Sequence, residues 1–214
     1  MNRKKIMFIV TSVIYFEPSP LSYSKTRSRF TPEERLKQTM KTLESIRVII
    51  PDAYIVLLEL GTRDIQSKKI LTIANRYIYL GGMKAVRHAV DSPHKGYGEA
   101  VGLLLAHRYI RSYPADYYYK LSGRYKLTRH FRLESWMNEG FTANISKGWM
   151  STRLYGFSKK HYGNWRTALM KSLPSLKRGQ AIEKVLPIYM GKIGKIENLG
   201  ISGVIAPWNI RIEE

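Results

Sequence analysis

Lys120, Ser122, Gly123 and Arg124 stand close together in the run Asp116-Tyr117-Tyr118-Tyr119-Lys120-Leu121-Ser122-Gly123-Arg124-Tyr125, and their types could seat an anion. The aromatic first half suits a buried, pleated strand, which Ser122-Gly123 breaks into a corner. A glycine at such a corner lets backbone N–H groups come close to a ligand, and Lys120 and Arg124 add fixed positive charge beside it. A plain hairpin turn with solvated basic residues is the competing reading of the same stretch.

Other parts of the chain carry residues suited to the same ligand. Ile6 to Val10 is a continuous apolar, partly β-branched run, as in a central strand of a parallel sheet, and Thr11-Ser12-Val13 ends it. Ligands of open α/β sheets bind outside the carboxyl ends of the strands, so this tripeptide is placed to meet a nucleotide through backbone groups and hydroxyls. A second buried strand, Ala53 to Leu58, runs into Glu59-Leu60-Gly61. Lys95-Gly96-Tyr97-Gly98 precedes a helix expected from Glu99 to Ile110, whose freed N–H groups favour an anionic group. Glu183 lies on a helix expected after Arg178-Gly179. His88 and His94, with Asp91, fall in an expected basic loop and lack the spacing of a metal site.

The elements that must position these residues are legible from their punctuation. Thr31-Pro32-Glu33-Glu34 predicts a helix start, with Thr31 as N-cap, Pro32 at the first position and Glu34 closing a capping box. Leu36, Met40, Leu43 and Ile50 follow at helical spacing until Pro51-Asp52 stops them, and Arg35 lies where it could reach back to the first strand's ligand. Glu17 to Phe30 reads as a long loop. A helix over Ile65 to Asn75 and a short strand over Tyr77 to Leu80 come next. Later come a short helix (Phe131 to Met137), strands (Phe141 to Ile145, Ser151 to Phe157), helices (His161 to Leu173, Gln180 to Tyr189) and closing strands (Ile196 to Leu199, Ile201 to Ala206), with Trp208 beyond. Strand and helix alternate in the first half and mix in the second, which makes the chain α/β.

With 214 residues and 44% apolar content, one folded domain spanning 1–214 is expected, without solenoid repeats. The net charge of +20 attracts polyanions or phosphorylated ligands. The absence of cysteine excludes disulfides and thiolate zinc sites and fits a reducing, cytoplasmic setting. Met1 to Lys5 followed by Ile6 to Phe16 imitates a secretory signal. Thr11-Ser12 interrupts the apolar run, no small-residue cleavage site follows, and the run is too short to span a bilayer, so no transmembrane segment is expected.

The order of these parts resembles the GT-A type glycosyltransferases, and most closely the compact glycosyltransferase domains encoded by chlorella viruses, which act on capsid glycans. The first strand with Thr11-Ser12-Val13, the run Arg29-Phe30-Thr31-Pro32-Glu33-Glu34-Arg35, the run Lys95-Gly96-Tyr97-Gly98-Glu99-Ala100 and the run Tyr119 to Tyr125 carry the resemblance. It implies a GT-A-like nucleotide-diphospho-sugar transferase fold, a mixed central sheet flanked by helices, with residues 1–125 as the donor half and 126–214 as the acceptor half. It also implies a UDP-sugar donor carrying a hexosyl or deoxyhexosyl group, a glycan acceptor, a host-cytoplasm setting if viral, and a place in a larger multidomain chain as one option. Donor contacts would come from Thr11, Ser12, Val13, Arg35, Glu59, Leu60, Lys95, Gly96, Ser122, Gly123 and Arg124, with Arg124, Lys120 and Glu183 as catalytic candidates. Where that family carries an Asp-x-Asp metal motif, this chain has Ser122-Gly123-Arg124. No metal ligand is therefore assigned. Arg124, Lys120 and Lys95 are expected to replace the ion's charge, with Asp91 and Asp116 left as acidic groups for a loosely held Mg or Mn.

Two other classes compete. A nucleic-acid-binding protein is suggested by the charge and the 15 tyrosines, against basic residues spread along the chain without a recognition signature. A non-catalytic module on a glycosyltransferase-like scaffold is the other.

Overall fold

Along Ile6–Ser12 (β1) every residue is buried, and successive side chains feed opposite faces of a sheet: Met7 and Ile9 enter one core, Ile6, Phe8 and Val10 the other. A strand covered on both faces needs apolar residues at both parities, which is why this run shows no polar alternation. The computed structural model describes residues 4–205 and 210–214, so Ala206 and Trp208 lie outside the described residues.

The chain runs from β1 through α1 (Pro32–Ile49), β2 (Tyr54–Glu59), α2 (Lys68–Ile73), β3 (Arg76–Tyr79), α3 (Lys84–Asp91), α4 (Lys95–Arg111), β4 (Tyr117–Ser122) and β5 (Tyr125–Leu127). It continues through α5 (Leu133–Trp136), β6 (Phe141–Ser146), β7 (Trp149–Ser158), α6 (Tyr162–Lys177), α7 (Ile182–Met190), β8 (Ile193–Lys195), β9 (Ile201–Ile205) and β10 (Ile210–Glu213). Seven strands form a mixed sheet in the order β3-β2-β1-β4-β7-β6-β8, and β10-β9-β5 form a smaller antiparallel sheet. Strands β3, β2, β1 and β4 are parallel neighbours; β7 is antiparallel to β4 and to β6.

Helices cover both faces. Residues of α3, α4, α6 and α7 join the core that holds Met7 and Ile9, while α1, α2, α5 and the small sheet pack on the other. The α1 start is as its sequence predicts: Thr31 Oγ1 accepts from the Glu34 amide at 3.3 Å, and the Glu34 carboxylate accepts from the Thr31 amide at 2.8 Å. Among the described residues no helix is long and apolar enough to cross a membrane.

Several boundaries differ from expectation. The basic loop expected around His88 and Asp91 is helix α3, because Val86, Ala89 and Val90 share one buried face. Helix α4 begins at Lys95 rather than Glu99, so Lys95 and Gly96 are its first turn; a Cβ on Gly98 would stand 2.9 Å from the Val90 Cα, and only glycine lets α3 and α4 pack this closely. Helix α2 is shorter than expected, since Ser67 caps it by accepting from the Ile70 amide. The strand expected over Ile196 to Leu199 is absent and β8 precedes it. There the Asn144 amide donates to the Ile196 and Glu197 carbonyls at 2.9 Å each, and the Asn198 side chain accepts from the Gly200 amide, so side chains take up backbone groups that a strand would pair.

Candidate active site

The sheet order reverses at β1: β2 lies on one side, β4 on the other, and Thr11 at the end of β1 stands opposite Ser122 at the end of β4. Loops leaving neighbouring strands in opposite directions open a crevice beyond their carboxyl ends, the place where open α/β sheets bind ligands. A cavity of about 110 Å³ lies there, lined by Thr11, Ser12, Val13, Leu60, Ser122, Gly123 and Arg124 together with Arg27, Arg35, Lys95 and Glu99. A larger cleft of about 690 Å³ adjoins it, sharing Lys95, Glu99, Ser122 and Arg124 and extending over Gly96, Trp149, Arg153, Glu183 and Glu214. Residues spread from Thr11 to Glu214 thus meet on one side of the sheet.

The cavity walls are cationic. Arg35 projects from the first turns of α1 with its guanidinium 4.9 Å from the Phe16 ring centre, and its Nε is shut off from solvent without a hydrogen-bond partner among the described residues. Burial, then repulsion from Arg124, lowers the Arg35 guanidinium's affinity for its proton, yet at neutral pH it stays charged. Arg27 is locked by the carbonyls of Val90 (2.7 Å), Ser92 (2.6 Å), Asp91 (3.0 Å) and Ser19 (3.1 Å), which fastens the long loop between β1 and α1 to the end of α3. Arg124 lies 5.6 Å from the Tyr125 ring centre.

Other expected site residues sit behind this surface. Glu59 is fully buried and does not line the cavity; it accepts from the Ser12 hydroxyl, the Ile14 amide at 2.9 Å and the Gly61 amide at 2.7 Å, and so shapes the turn after β1. Burial raises its pKa, against the lowering effect of those bonds and of Arg35. The corner amides expected to face an anion are already engaged, Gly123 N–H with the Thr11 carbonyl and Arg124 N–H with the Ser122 carbonyl, both at 2.8 Å. Glycine at 123 serves close packing instead, since a Cβ there would stand 3.0 Å from Thr39 Oγ1 and 3.1 Å from the Thr11 carbonyl.

Lys120 also departs from expectation. Its side chain is wholly buried, and its ammonium ion-pairs with Glu99 and donates to Ser122 Oγ (2.8 Å) and the Thr152 carbonyl (2.7 Å). Burial lowers its pKa while Glu99 opposes that shift. The corner therefore presents Arg124 to the cavity and keeps Lys120 beneath it. Glu99, unassigned by sequence reasoning, links the parts: it pairs with Lys120 and accepts from Thr11 Oγ1 at 3.3 Å. A lysine inside an aromatic strand is the signal that could have pointed to it, because a buried ammonium requires a carboxylate. Arg27 was hidden in a loop whose path the sequence does not reveal.

Of the carboxylates lining the larger cleft, Glu99 and Glu214 are ion-paired, with Lys120 and Arg153 respectively, whereas Glu183 accepts from Thr152 Oγ1 at 3.0 Å. Asp91 and Asp116, left by the sequence for a divalent metal, are apart from the cavity: Asp91 pairs with Arg87, and Asp116 accepts from the Lys5 amide at 2.8 Å. Among the described residues no group of three or more His, Asp or Glu that could hold a metal ion comes together.

No family model and no curated relative matches the sequence. Solved structures do share the fold. The galactosyltransferase LgtC, crystallised with donor and acceptor sugar analogs, superposes with a TM-score of 0.53 at 11% identity, covering 89% of this chain and 73% of that one. GlyE, a glycosyltransferase of Streptococcus pneumoniae TIGR4, gives 0.54 at 11% identity over 91% of this chain and 46% of its own. A glycosyltransferase involved in glycosylation of the major capsid of PBCV-1 gives 0.46 at 7% identity over 90% and 81%, too weak a likeness to support the viral kinship. The seven-stranded mixed sheet flanked by helices is thus a GT-A-like fold.

Proposed function

We propose that this chain is a glycosyltransferase that moves a sugar from a UDP-sugar to a glycan acceptor. One observation carries the reading: a cavity walled by Arg27, Arg35, Lys95 and Arg124 at the β1/β4 reversal opens through shared residues into a larger cleft containing Glu183. The LgtC likeness, with its donor and acceptor sugar analogs, supports it.

In this reading the uridine lies against Val13 and Leu60, and the diphosphate lies among the cations. The acceptor hydroxyl oxygen bonds to the anomeric carbon as the carbon–oxygen bond to the diphosphate breaks, its electron pair leaving on the diphosphate. The hydroxyl proton passes to the Glu183 carboxylate. Positioned guanidinium and ammonium groups offset the charge that develops on the leaving group, and being fixed beforehand they need no reorganisation as it departs. Lys120 acts by positioning Glu99 and Ser122. Residues 1–125 supply most of the donor side and 126–214 most of the acceptor side of one unit. The sequence resemblance carries the narrower proposal of a hexosyl or deoxyhexosyl donor and a viral capsid glycan acceptor.

Calorimetric titration with UDP, ADP and uridine, followed by product analysis with a panel of UDP-sugars, tests this. UDP is expected to bind more tightly than ADP and uridine, and at least one UDP-sugar to be consumed. Equal binding of all nucleotides, or none, would overturn it.

A further inference from the structure

Lys95 stands where the small cavity opens into the larger cleft and belongs to the lining of both. It is the first residue of α4, a helix with neither a side-chain cap nor an acidic residue in its first turn, so the positive end of the helix adds to the field around it. Three guanidinium groups from separate parts of the chain face the same cavity: Arg27 from the loop after β1, Arg35 from α1 and Arg124 from the corner after β4. The nearest carboxylate on its own helix, Glu99, is committed to Lys120 of β4. The larger cleft contributes Tyr23, His94, Glu183 and the Arg153–Glu214 pair.

Guanidinium groups do not give up their protons near neutrality, so in a crowded cationic cluster the amine is the group that yields. Burial, then repulsion from Arg124, Arg35 and Arg27, brings the Lys95 ammonium down to about 7. We propose that Lys95 is a proton-coupled ligand for the donor diphosphate: in the ligand-free protein it is largely deprotonated above neutral pH, and it takes up a proton as the anion enters. The inference rests on the donor reading only for the presence of a diphosphate.

The sign follows from linkage. A bound diphosphate cancels the repulsion and raises the Lys95 pKa, so the complex holds more protons than its separated parts. Well below pH 7 Lys95 already carries its proton and uptake vanishes; around pH 8 it approaches one proton per site. Affinity is therefore greatest on the acid side and falls as pH rises through that window. Release of the diphosphate product returns the proton.

The test is calorimetric titration of the intact chain with inorganic pyrophosphate and, separately, UDP, at pH about 6 and about 8, in buffers of different ionisation enthalpy. Wild type is compared with Lys95→Arg and Lys95→Met; using one anion for all three cancels the anion's own titration. At the higher pH wild type is expected to take up close to one proton more than Lys95→Arg, whose side-chain charge does not change between the two pH values. Lys95→Met is expected to bind about tenfold or more weakly at the lower pH, the loss of a charged hydrogen bond, with the low uptake of the arginine variant. Equal proton uptake by wild type and Lys95→Arg overturns the proposal. Pyrophosphate binding without UDP binding overturns the uridine reading and leaves the Lys95 comparison readable; binding of neither overturns both.

Discussion

Arg124 offers its forked guanidinium to the small cavity and to the larger cleft at once, while its backbone N–H is held by Ser122. In the proposed function it is therefore the side chain at this corner, and not the main chain, that meets the diphosphate. Arg124→Ala is expected to weaken UDP binding and slow transfer by about 2 to 4 kcal/mol, the size of losing a donor that stabilises developing charge. Lysine at 124 should recover little, because a point charge cannot bridge two oxygens as a fork does. Uridine, which lacks phosphates, should bind wild type and variant alike. Calorimetry with both ligands checks this, and a chelator should leave UDP affinity unchanged. Loss of affinity with chelator but not with Arg124→Ala would assign the charge to a metal instead.

Helix α4 and strand β4 are fastened to each other by Glu99 and Lys120, with Thr11 of β1 adding a third point of attachment. Lys120 is wholly buried, so removing its partner leaves an ammonium with no counter-charge in a medium that solvates it poorly. Glu99→Ala is expected to cost about 3 to 5 kcal/mol of stability. The double variant Glu99→Leu with Lys120→Met should regain most of that, since matched apolar groups require no compensation, yet it should bind UDP weakly because Ser122 loses the lysine that orients it. Denaturant unfolding of the single and double variants separates the two effects. If the double variant proves as unstable as the single one, the pair is not what joins these elements.

At the scale of the whole molecule, the charge of +20 is far larger than the cluster in the cavity accounts for. Such a surplus draws polyanions without choosing among them, and that attraction is screened by salt. Binding of an oligonucleotide is therefore expected to fall steeply with salt, each neutralised phosphate of a single strand adding about 0.7 to the log–log slope. UDP, held by few groups in a recessed site, should lose much less affinity over the same range. Filter binding and calorimetry at increasing salt compare them. Salt-resistant, sequence-selective binding of an oligonucleotide would reverse the assignment of the basic surface.

The sequence by itself determined the parts governed by neighbours along the chain. The Ile6 to Val10 run must be a strand covered on both faces, Thr31 and Glu34 must cap a helix behind Pro32, and Pro51 must follow its end, because these choices depend on local sterics and on orphan backbone groups. They also put Thr11 and Arg35 at element ends, where ligands are met. Only the tertiary structure decided which groups at those ends face the cavity. Strand register sets Thr11 opposite Ser122, packing encloses Lys120 and Glu59, and a loop path of unknown course in the sequence brings Arg27 to the wall. Glu99 was legible only as part of a helix start, since its partners Thr11 and Lys120 come from strands far away in the chain. The field that lowers the Lys95 ammonium has the same origin. It is a sum over charges from separate elements, and it exists only once folding has brought them around one cavity.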